Sequence, residues 1–139
     1  MDGTVVVGVD GSPASDSALE WAARYAEASG ASVLGVTAWH IPTSTMWSVD
    51  TSELASGARQ ILEDALKVAR ERHPGVTFSG LVDEGVAAPI LLEASRTADL
   101  LVVGSRGHGA FTGMLLGSVS LHCVHHARCP VVVVPGEEQ

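Results

Sequence analysis

Leu100-Leu101-Val102-Val103-Gly104-Ser105-Arg106-Gly107 decides how this 139-residue chain is read. Four consecutive apolar residues make a strand buried on both faces, as in a parallel sheet. Glycines stop the strand. Further on, Gly117-Ser118 opens a helix for which Ser118 is the expected cap. A strand that passes through glycines into a helix N-terminus is a common way to hold phosphate. Glycine lets the backbone approach, its N–H groups point at the anion, and the helix dipole favours negative charge.

The same alternation of strand and helix fills the chain on either side. Thr4 to Val9 is the first strand, and Asp10-Gly11-Ser12-Pro13 turns it into a helix with Ser12 as N-cap and Pro13 at the first helical position. That helix shows Ala18, Leu19, Ala22, Tyr25 and Ala26 on one face and stops at Gly30. Ser32 to Ala38 is the second strand. A loop from Trp39 to Asp50 follows, rich in Trp39, Ile41, Met46 and Trp47; of these, Trp39, Met46 and Trp47 either cover the local core or shield a ligand or a partner surface. Thr51 or Ser52 caps a second helix, whose stripe is Leu54, Ala58, Ile61, Leu62, Ala65, Val68 and Ala69, and His73-Pro74-Gly75 ends it. Val76 to Val82 is the third strand, Pro89 to Arg96 the third helix, Leu100 to Val103 the fourth strand, Ser118 to His126 the fourth helix and Val131 to Val134 the last strand.

This pattern specifies a single α/β domain over residues 1–139: a doubly wound, five-stranded parallel sheet with four helices and strand order 3-2-1-4-5. Ligands of such sheets sit beyond the C-terminal strand ends, where the order reverses. The reversal lies between strands one and four, so Asp10 and Gly104 are expected at one crevice.

Composition narrows the partners. The formal charge is −8, and Lys67 is the single lysine. No basic cluster offsets that field, which argues against nucleic acid. No stretch approaches a membrane span, and Met1-Asp2-Gly3-Thr4 lacks the basic start of a signal peptide, so a reduced cytoplasmic setting is expected. Cys123 and Cys129 have no disulfide or metal-finger spacing. His122 and His126 are spaced i, i+4, as are His125 and Cys129, but the two pairs point in different directions. They read as helix-end histidines rather than a metal site.

The glycine stretch is neither a P-loop, which needs a lysine, nor the dinucleotide fingerprint, which belongs after the first strand. Gly104, Gly107, Gly117 and Ser118 instead satisfy G-x2-G-x9-G-[ST] without a gap. That is the ATP-binding signature of the universal stress protein family, and the chain resembles this family along its whole length. Val9-Asp10-Gly11-Ser12 is similar to its first turn, the segment from Ala98 to Gly107 to its fourth strand and loop, and Cys129-Pro130-Val131-Val132-Val133-Val134 to its closing strand.

The resemblance implies roles for matching residues. Val9 and Asp10 would stand at the ribose or adenine side, and Val36 would present its backbone to adenine. Val103, Gly104, Ser105, Arg106, Gly107, His108 and Gly109 would wrap ribose and phosphates. Gly117, Ser118, Val119 and Ser120 would hold the phosphates through N–H and hydroxyl groups. ATP is the implied ligand, with Mg2+ or Mn2+ riding on its phosphates, and a homodimer through Val131–Val134 is the implied assembly.

No lysine or base–nucleophile pair supplies a hydrolysis apparatus, so a nucleotide-binding stress or signalling protein is expected rather than a fast enzyme. Slow hydrolysis or self-phosphorylation would involve Ser118, Ser120 or Thr112. Two alternatives stand beside this reading: a nucleotide hydrolase or transferase, and a dimeric interaction protein binding another nucleotide.

Overall fold

A computed structural model describes residues 3–41, 50–106 and 117–136. Five strands and four helices alternate there: β1 (Thr4–Gly8), α1 (Pro13–Ser29), β2 (Ser32–Trp39), α2 (Thr51–Arg72), β3 (Phe78–Glu84), α3 (Ala87–Ala94), β4 (Leu100–Gly104), α4 (Ser118–His126) and β5 (Val131–Val134). All strand pairs are parallel and the order is β3-β2-β1-β4-β5, the expected doubly wound sheet.

The unbroken valines of β1 follow from burial on both faces. Val5 and Val7 turn to the side covered by α1 and α2, where Leu62 and Leu66 pack. Val6 turns to the other side, against Leu91 of α3 and Cys123 of α4. β4 divides in the same way, with Leu100 and Val102 on the first side and Leu101 and Val103 on the second. Burial pushes the Cys123 thiol up to about 11, which makes it an inert core residue.

Ser12 caps α1 as expected, accepting the Ser15 N–H at 3.2 Å, and Gly30 ends the helix in the left-handed conformation at φ 82°. Elsewhere the boundaries shift. Asp50, not Thr51 or Ser52, caps α2, because its carboxylate accepts the Ser52 N–H at 3.0 Å. Gly117, not Ser118, is the cap residue of α4. Residues 76 and 77 precede β3, with Val76 N–H still bound to the His73 carbonyl in the turn that leaves α2. α3 begins two residues before Pro89, which therefore sits in its first turn, where a missing N–H costs nothing.

Candidate functional site at the strand-order reversal

β1 and β4 are neighbours whose following segments diverge, one to α1 and one to the glycine stretch. A cleft of about 540 Å3, counting its mouth, opens between their C-terminal ends. Val9, Asp10, Val36, Val103, Gly104, Arg106 and Val119 all line it, so the structure gathers these expected residues at one place. Ser105 and Ser118 flank it in sequence, Gly107, His108 and Gly109 lie outside the described residues, and so do Thr112, Met46 and Trp47.

Most of the wall is apolar. Val36 and Val103 are buried, and Ala38, Ala87 and Leu91 join them. These last three escaped the sequence reading, although period was the available signal. Ala38 shares a strand face with Val36 two residues earlier, and Ala87 and Leu91 are i, i+4 on α3. The Val36 carbonyl accepts Val9 N–H at 2.8 Å, and the Thr37 hydroxyl donates to the Val9 carbonyl at 2.8 Å. The chain just beyond β1 is thus tied to β2, fixing the height at which Asp10 leaves the sheet.

The Asp10 turn is built from its own polar groups. Asp10 N–H donates to Ser15 Oγ at 3.2 Å, and Asp10 Oδ1 accepts Ser12 N–H at 2.9 Å. Gly11 supplies the positive φ of 82° that this turn needs. Burial, and then the charge of Asp10, push the Asp16 carboxyl above its ordinary range.

The glycines and serines of the phosphate motif have unexpected partners. A Cβ on Gly104 would stand 2.7 Å from Ala14 Cβ and 2.8 Å from the Ala14 carbonyl carbon. Gly104 therefore lets the first turn of α1 close onto β4, which accounts for glycine there without any ligand. The Gly117 N–H donates to the Ser105 carbonyl, and the Ser120 hydroxyl, in a side chain 1% exposed, donates to that same carbonyl at 3.0 Å and to the Gly117 carbonyl at 3.1 Å. Ser118 is exposed. In the first turn of α4 the N–H groups of Ser118, Val119 and Ser120 have no carbonyl partner within the helix, and Val119 borders the cleft.

His122, His125 and His126 are exposed at the end of α4, with the His122 and His126 rings 4.6 Å apart. Cys129 falls beyond the helix. Among the described residues no group of three or more His, Cys, Asp or Glu is placed to hold a metal. No helix among them is long and apolar enough to cross a membrane.

Comparison with known proteins agrees with this architecture. The model of the universal stress protein family matches residues 1–135. A universal stress protein of Mycobacterium tuberculosis is 40% identical over 152 aligned positions, which cover 96% of this chain and 48% of the relative. The chain thus spans about half the length of the curated relatives it matches. Among solved structures, a universal stress protein in complex with cAMP is 30% identical with a TM-score of 0.73, covering 98% of both chains. UspA of Lactobacillus plantarum has a TM-score of 0.81 at 20% identity, covering 95% of this chain and 97% of that one, and so shares the fold. By family match, sequence identity and strand order alike, this chain belongs to the universal stress protein family.

Proposed function

We propose that the cleft binds an adenine nucleotide, with ATP as its ligand, and that the bound state governs contacts with a partner protein. The observation that carries this reading is a junction of two environments. Apolar walls from Val36, Ala38, Val103 and Leu91 suit a flat base, and Arg106 and Val119 at the N-terminus of α4, which line the same cleft, suit phosphate. Asp10, in the same lining, suits a ribose hydroxyl. Gly107, His108 and Gly109 would complete the phosphate wrap. A magnesium or manganese ion would be carried by the phosphates, for which the chain need supply no ligand set of its own.

The relative solved with cAMP, at 30% identity over nearly its whole length, supports a nucleotide in this family and favours one specific second reading, a cyclic nucleotide. A calorimetric panel of ATP, ADP, AMP and cAMP, each with and without magnesium, separates them. Affinity that rises from AMP to ATP supports phosphate capture at α4. Selective binding of cAMP moves the function to cyclic-nucleotide sensing, and no binding at all overturns the nucleotide reading.

The reading includes a homodimer through β5, which is an edge strand and offers unpaired backbone groups to a second copy. Both cysteines are free thiols, which suits a reducing cytoplasm. The buried, inward-donating hydroxyl of Ser120 leaves Ser118 and Thr112 as candidate acceptors in any slow self-phosphorylation.

A further inference from the structure

We infer that Ser120 is a positioning residue: its hydroxyl does not hold phosphate but locks the N-terminus of α4 against the end of β4. This rests on the nucleotide reading for its functional consequence. The geometry is a clasp centred on Ser105. Its carbonyl, with two lone pairs, accepts both the Gly117 N–H and the Ser120 Oγ–H, the latter at 3.0 Å. Its own N–H donates to the Val134 carbonyl at 2.8 Å. One residue at the end of β4 thus carries bonds to β5, to the cap residue of α4 and to the third residue of that helix.

Two features make the clasp more than local capping. The Ser105 carbonyl is fifteen residues away in sequence, so this arm of the shared hydroxyl joins the two ends of the glycine stretch, while its other arm, to the Gly117 carbonyl at 3.1 Å, stays within one turn. The Ser120 side chain is also almost fully buried, where a hydroxyl–carbonyl bond has no water to replace it. Its consequence lies in what it leaves available. Gly117 N–H is spent on Ser105, so phosphate contact falls to the N–H groups of Ser118, Val119 and Ser120. Their position relative to Gly104 and Arg106 is set by the clasp.

The test compares wild type, Ser120→Ala and Ser120→Thr in two measurements. The first is amide hydrogen exchange at Gly117, read by NMR without ligand. Alanine should speed exchange about tenfold, as expected for loss of a buried hydrogen bond, and threonine should restore protection. The second is calorimetry with ATP and with adenosine. Alanine should weaken ATP about tenfold, leave adenosine within about twofold, and threonine should recover ATP affinity. A general loosening of the fold would weaken both ligands together, and that result overturns the positioning role. Unchanged Gly117 exchange in Ser120→Ala overturns the clasp itself, whether or not any nucleotide binds. Wild type that binds neither ligand overturns the nucleotide reading and with it the functional role of Ser120, while the exchange result still decides the clasp. If the alanine variant does not fold, Ser120→Cys keeps the size, weakens the donor and takes its place in both measurements.

Discussion

Gly104 shows how one residue can satisfy a motif for a reason the motif does not state. In the glycine signature it reads as a phosphate-approach residue, yet any Cβ there collides with the backbone and side chain of Ala14. Neither Ala14 nor β4 can retreat easily, since Val103 and Ala14 are both buried. Gly104→Ala should therefore lower unfolding free energy by about 1–3 kcal/mol, as overpacking does, and urea denaturation without ligand will measure it. A loss of ligand affinity in that variant would accordingly say little about phosphate contact. Packing of this kind is invisible in a sequence, because Ala14 and Gly104 lie ninety residues apart and share no period. Asp10 is the contrasting case. Its place after a buried strand, with a cap and proline following, was enough to put it at the crevice.

Among the elements, α1 and α2 are joined by a polar clamp that no sequence pattern announced. His73, the C-cap of α2, presents Nδ1 to Glu27 at 2.6 Å and Nε2 to Glu20 at 3.0 Å, with its side chain 8% exposed. Carboxylates facing both ring nitrogens call for the doubly protonated imidazolium. The hydrogen bonds to Glu27 and then Glu20 raise the His73 pKa above the ordinary 6.5. Burial pushes the Glu20 carboxyl up, but bonds from His73 and Arg24 outweigh it and hold it below the ordinary 4.5. A raised histidine contributes stability that is complete below its unfolded pKa and is lost as pH rises through its folded pKa. A lowered carboxylate contributes stability present above its unfolded pKa and lost as pH falls through its folded pKa. The clamp should therefore be strongest between about pH 4.5 and 6.5 and decline above that window. Urea midpoints across pH should show that decline in wild type and a flatter profile in His73→Gln.

The apolar stripe of α2 was legible only in part. Ala58, Leu62 and Ala69 are buried as their spacing predicts, but Ile61 and Val68 are 40% and 49% exposed, and Leu66, outside the expected stripe, is buried. Among the described residues the helix packs chiefly over β2 and β3, with α1 beside it, so its contact strip is narrower than its apolar arc. Tyr25 of α1, whose spacing predicts the inward face, differs in the same way. It is 38% exposed and stacks on Trp21, ring centroids 5.6 Å apart.

For the whole molecule, strand order was legible because parallel strands with intervening helices leave few right-handed arrangements. The order also decides which edge is open. Pro130 and Val134 carbonyls accept from Leu101 of β4 and from Ser105 just beyond it. By the alternation of a parallel ladder, Val131 and Val133 turn their N–H and C=O groups to the free edge. A dimer through β5 would draw on them, and Val133→Pro would remove an outward donor while proline remains tolerable on an edge strand. Sedimentation should find wild type dimeric and Val133→Pro monomeric. A variant that stays dimeric would place the interface elsewhere.

What the sequence could not supply at this scale was the division of labour in the glycine stretch. The joining of Ser105 to Gly117 and Ser120 depends on how the α4 N-terminus docks on β4, and no spacing encodes that. In the proposed function the cleft between β1 and β4 takes an adenine nucleotide with its base among Val36, Ala38 and Leu91. Calorimetry of ATP with magnesium against wild type and Ala38→Phe tests it most directly, since a ring at that half-exposed position fills the apolar slot without entering the core. Saturable binding to wild type, lost in a phenylalanine variant of unchanged melting temperature, is the predicted result. Equal binding by both proteins, or none by wild type, would contradict it.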